Sequence, residues 1–161
     1  MSSSRGAGAP RVSPPVAVAF ATVGFVTLVI FGFGMLSLAL GEDVIVVGGI
    51  GQLPGILSVS LATLAFALLL AIVVRRPAPS FWAVAWITAA VFLVYLVALG
   101  FGALAVGAGV ATAAAAAGHV ATTWFGAIPA AAAAVAAWGG IALVRTRADR
   151  PQWPWERDID E

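Results

Sequence analysis

The sequence predicts an all-α polytopic membrane protein: a bundle of four transmembrane helices with both termini in the cytoplasm. Three observations predict it. Four apolar runs of about 20 residues or more, near 16–40, 53–74, 81–106 and 120–144, contain no Asp, Glu, Lys or Arg. Charged residues make up 9% of the 161-residue chain, against about 25% in soluble domains, so there is too little polar surface to face water. The eight basic residues, all Arg, fall on one side of a membrane crossed by those four runs.

Residues 1–15 are rich in Ser, Gly, Pro and Arg and cannot bury a core; they are expected to be a disordered cytoplasmic segment. The run at 16–40 is the first span. Its 25 residues cover a ~30 Å hydrocarbon core at ~1.5 Å per residue. The preceding arginines and "SLA" at Ser37–Ala39 also fit a cleaved secretory signal, but the apolar run far exceeds the usual 7–15 residues, so an uncleaved helix is expected.

The connector "GEDVIVVGGIGQ" carries Glu42 and Asp43 and no base. Its glycine-rich end, "GGIGQLPG", lacks the Gly-Lys-Ser/Thr ending of a phosphate cradle and reads as a turn ending at Pro54 in the first turn of the second span. The second and third spans, 53–74 and 81–106, are joined by "RRPAPS", whose prolines stop the helix. So short a turn makes these two helices antiparallel neighbours. "GAGVATAAAAAG" at 107–118 is either a small-residue loop or a helical extension of the fourth span, 120–144, within which Pro129 removes a backbone donor.

Arg5 and Arg11 precede the first span, Arg75 and Arg76 lie in the second turn, and Arg145, Arg147, Arg150 and Arg157 follow the fourth. The positive-inside rule therefore places both ends and the Arg75–Arg76 turn in the cytoplasm. Misplacing one span would destroy this segregation, so span count and orientation support each other. Arg75, Arg76, Arg145, Arg147 and Arg150 are the candidates for contact with anionic lipid head groups.

Composition excludes several chemistries. Without cysteine there is no disulfide, thiolate metal site or cysteine nucleophile. A net charge of +1 gives no nucleic-acid footprint. His119 is the single histidine and a poor metal site on its own, so it reads as an interfacial polar residue. Glu42 and Asp43 read as a solvated turn rather than a cation site. With no Asp, Glu, Lys, Arg or His inside the spans there is no proton relay and no nucleophile–base pair. Ser58, Ser60, Thr63, Thr88 and Tyr95 are expected to bond to their own or a neighbouring helix. Ala17, Ala21 and Gly24, followed by Gly32 and Gly34, and the alanines of "PAAAAAVAAW" read as close-packing faces. No cofactor is expected.

The tail, 145–161, runs from a basic anchor through Trp153, Pro154 and Trp155 to an acidic end. It reads either as an interfacial anchor, since Trp gathers in membrane belts, or as a docking peptide for a membrane or cytosolic protein, Trp being a frequent hot-spot residue. With "RPQWPWERD" after the last span and a Ser/Gly/Pro–Arg start, the chain resembles a group of small uncharacterised four-span membrane proteins of high-GC actinobacteria. That resemblance implies a multi-pass protein of the cytoplasmic membrane and no activity or site residue.

The expected function is a non-catalytic accessory or regulatory subunit of a membrane complex, its partners being the bilayer and a protein met through the tail. The alternative is a small oligomeric transporter or channel for a neutral or apolar solute, with homo-oligomers possible in either case. An enzyme acting on lipid would have to rely on His119, Glu42 and Asp43 converging.

Overall fold

A computed structural model describes residues 12–41, 52–76 and 79–145. Its elements are α1 (Pro14–Leu40), α2 (Leu53–Val74), α3 (Trp82–Ala105), α4 (Val110–Thr122) and α5 (Trp124–Arg145). The described residues contain no strand. α1, α2, α3 and α5 are long and apolar enough to cross a membrane. The 13 residues of α4 reach only ~20 Å, short of a ~30 Å core.

Proline and glycine set the ends. Prolines stand in the first turns of α1 and α2, where a missing N–H costs nothing. α1 closes on Gly41, whose φ of 65° lets its N–H reach the Ser37 carbonyl. Ser80 starts α3 by accepting the Trp82 N–H at 3.2 Å on its hydroxyl. Gly107, at φ 88°, turns the chain after α3.

The fourth span differs from the sequence expectation. Residues 107–118 are neither loop nor simple extension, because α4 is a helix of its own and α5 begins at Trp124 rather than near Val120. The break is Thr123, extended at φ −106° and ψ 169°. Its N–H still closes on the His119 carbonyl, while the Thr122 hydroxyl bonds back to the Gly118 carbonyl at 2.8 Å. Two consecutive β-branched residues that favour such local bonds weaken the helix there. The Gly126 N–H then binds the Thr123 carbonyl and restarts it.

α1, α2, α3 and α5 form an up-and-down bundle in which chain neighbours are spatial neighbours and α5 closes back on α1. The α2–α3 pair packs most extensively, as the short turn requires, and α4 folds back against α3 and α5. Phe25 and Phe66 stack at 4.8 Å between α1 and α2, and Phe33 meets Tyr95 of α3 at 6.1 Å. With Leu70, Leu99 and Ile141 they fill the centre. The outside is equally apolar: Leu38 is 82% exposed and Trp82 80%. Apolar residues on every face suit helices bathed in hydrocarbon, as in a multi-pass membrane protein.

Several polar side chains inside the spans bond to the backbone of their own helix. Thr22, Thr27 and Thr63 donate to the carbonyls one turn earlier at 2.7–2.9 Å. The Ser58 hydroxyl donates to the Gly55 carbonyl at 2.9 Å and pairs with the Tyr95 hydroxyl, linking α2 to α3. Ala17 and Ala21 on α1 and Ala132, Ala133, Ala136 and Ala137 on α5 are buried, as packing faces should be. Gly24 and Gly34 face open space instead.

α2 and α3 come close at Gly102, where a Cβ would stand 2.9 Å from the Pro54 Cα. Backbone cannot step aside as a side-chain tip can, so Gly102→Ala is expected to destabilise the protein by about 1–3 kcal/mol. Gly100→Ala, two residues away with nothing within 4 Å of the added methyl, should be neutral or slightly stabilising. Thermal unfolding of both variants in mild detergent checks this, and equal effects would remove the close contact.

Candidate functional site

Helix packing gathers the described arginines at one end. Gly140 of α5 lies against Leu70 of α2 and Ala21 of α1, where an added Cβ would meet their side chains at 2.9 and 3.0 Å. The start of α1, the end of α2 and the end of α5 therefore share one end of the bundle. Arg145, in the last turn of α5, reaches across to the turn before α3. Its Nη1 donates to the Pro79 carbonyl at 3.2 Å and its guanidinium lies 4.8 Å from the Phe81 ring centroid. The contact joins the α5 terminus to the α2–α3 turn. A cation at a helix C-terminus is also favoured by the helix dipole. Sequence reasoning placed Arg145 against lipid and missed both Pro79 and Phe81, which lie 66 and 64 residues away.

Arg75 and Arg76 are exposed at the end of α2. Arg76 also lines an outward-facing groove of about 490 Å³ between α2 and α3. Ser80, Trp82 and Trp86 line this groove together with the apolar Leu69, Ile72, Val73, Ile87 and Ala90, of which Ile87 is buried and Ile72 exposed. Towards the other end a larger groove of about 650 Å³ runs between the same helices, lined only by apolar residues such as Leu61, Leu64, Val97 and Phe101. A third, of about 480 Å³, separates α3 from α4.

The break between α4 and α5 is the second polar feature. His119 Nε2 and the Thr123 hydroxyl are buried there without a hydrogen-bond partner among the described residues, as is the Thr88 hydroxyl on α3. Gly126 makes the junction possible, because a Cβ there would run into the Val120 carbonyl oxygen, with the Phe92 ring behind it. Pro129, buried in α5, supplies no N–H to the carbonyl one turn earlier, that of Phe125. The sequence placed His119 at the mouth of the fourth span and Pro129 within it; the break puts them on two helices, α4 and α5.

No three potential metal ligands converge among the described residues. Glu42, Asp43, Arg147, Arg150, Trp153, Pro154 and Trp155 lie outside the described residues.

The pattern of a family described as "Family of unknown function (DUF6121)" matches residues 7–161. No curated protein and no solved structure matches the chain.

The Arg145–Phe81 contact can be weighed directly. Arg145→Gln and Phe81→Leu should each lower stability by about 0.5–1 kcal/mol, and their double variant by less than the sum. Thermal unfolding of the four proteins closes the cycle; strict additivity would mean the ring and guanidinium do not interact.

Proposed function

The chain belongs to the DUF6121 family, a family without an assigned function, and from that premise we propose that it is a non-catalytic membrane protein that docks on a larger complex. The bundle sits in the cytoplasmic membrane with its arginine-bearing end inside. The observation that carries this reading is where the space lies. Tyr95, Phe25, Phe66, Leu99 and Ile141 close the middle of the bundle, while the grooves open outward between helix pairs. Such a molecule offers its outer faces and its tail to other proteins. The tail segment around Trp153, Pro154 and Trp155 is the docking element and Arg147 and Arg150 hold it at the membrane surface.

A second reading has its own observation. A helix interrupted at Thr123, with partnerless polar atoms beside it, resembles the broken helices at transporter binding sites. It would make the protein a channel or transporter for a small neutral solute. Glycerol permeability of proteoliposomes tests it: flux above that of protein-free vesicles, lowered by Thr123→Val, supports the channel, and flux equal to protein-free vesicles removes it.

Two measurements test the main reading. The chain has no native cysteine, so single-cysteine variants label cleanly. A membrane-impermeant maleimide should modify Gln52→Cys in intact cells and Ser13→Cys only after lysis; the reverse pattern would invert the orientation. The full chain and a form lacking 151–161 should then be purified in parallel from native membranes. Both should insert and fold, and a specific partner should accompany only the full chain. Identical companions for both would leave the tail as a surface anchor and overturn the docking role.

A further inference from the structure

The groove at the arginine-bearing end has a chemistry that the docking reading does not use. Its mouth holds one cation, Arg76, beside the Ser80 hydroxyl. Ser80 accepts the Trp82 N–H on its oxygen, which leaves its own hydrogen to donate outward. Trp82 and Trp86 are 80% and 76% exposed, one turn apart on α3, and each carries an indole N–H. Further from the α2–α3 turn along both helices the lining is apolar, through Val73, Leu69, Ile87 and Ala90. Every carboxylate of the chain lies outside the described residues, so the described groove is lined by positive and neutral groups alone.

We propose that this groove binds one anionic phospholipid, its phosphate held by Arg76 and Ser80 and the start of one acyl chain laid between α2 and α3. Polarity runs in the same direction along the groove as along the lipid. Arg76 and Ser80 face the head group, the tryptophans stand at the level where indoles prefer the interface, and the aliphatic floor meets the chain. The volume of about 490 Å³ lies within the range of sites that hold small amphiphilic ligands. Arg145 cannot substitute for Arg76, because its guanidinium is committed to Pro79 and Phe81. Arg75, exposed on the neighbouring residue, does not line the groove and supplies the internal control. The inference needs the chain to be in a bilayer but is independent of any protein partner, so its failure would leave the docking reading standing.

Native mass spectrometry of the full chain released from nanodiscs of equal phosphatidylglycerol and phosphatidylcholine content tests it. The expected result is one retained phosphatidylglycerol, favoured over phosphatidylcholine by about fivefold, the size expected of one arginine at the membrane surface. Arg76→Gln should lose that preference, Trp86→Ala should lower retention of both lipids, and Arg75→Gln should keep both retention and preference, with all three variants unfolding at temperatures near that of the parent. Equal retention of the two lipids would overturn the site. So would equal losses in Arg75→Gln and Arg76→Gln, which would reveal only a diffuse positive surface. Displacement by millimolar inorganic phosphate would show a free-anion site and contradict the lipid assignment. If the preference appears only when 151–161 is deleted, the acidic tail of the chain is the native occupant and the proposal fails.

Discussion

Hydrocarbon offers no hydrogen bonds, and every spanning segment of this chain is built around that lack. Helical backbone answers it first, by pairing each N–H with a carbonyl of the same segment. Side chains answer it next. Thr22, Thr27 and Thr63 return their hydroxyl hydrogens to their own helix, and Ser58 joins Tyr95 to the Gly55 carbonyl. Where the chain departs from regular helix, at Thr123, two of the partnerless polar atoms among the described residues, His119 Nε2 and the Thr123 hydroxyl, appear at the break. The same rule that makes the four long helices uniform therefore makes the α4–α5 junction the most distinctive polar place in the bundle.

Lipid also removes the ordinary reason for helices to associate, since a leucine side chain is as well solvated by an acyl chain as by another leucine. Packing must come from closeness. Gly140 lets α5 meet both Leu70 and Ala21, Gly102 lets α3 meet Pro54, and Gly32 admits Ile128. Ala132, Ala133, Ala136 and Ala137 of α5 serve that end by facing inward. Larger residues are used where two helices can interdigitate, as Phe25 and Phe66 do. The outcome is a bundle with a filled centre and grooved flanks, and the flanks are where both readings of its interactions lie.

The arginine-bearing end shows how chemistry divides among like residues. Three described arginines occupy it, and each has a different setting. Arg145 is tied into the fold through Pro79 and Phe81. Arg76 borders the groove between α2 and α3, and Arg75 is exposed without lining it. Counting charge along the chain treats them as equivalent. Their separation depends on helix rotation, which fixes which of two consecutive side chains points along the α2–α3 seam.

By itself, the sequence determined that the chain is helical, with four apolar runs long enough to span a membrane. Uncharged runs longer than a bilayer is thick leave only one backbone conformation open to them, and Pro54 marks the first turn of α2 for a local steric reason. The antiparallel α2–α3 pair was equally legible, because a short proline-containing turn allows no other arrangement. Only the structure decided how α1 and α5 close the bundle, that 110–122 form a separate helix folded against α3, and that Arg145 rests on Phe81. The first and last depend on contacts between residues far apart in the chain, whereas the α4–α5 break turns on local bonds at Thr122 and Thr123. A composition of alanine, valine and leucine on every face carries no period from which the buried side could be read.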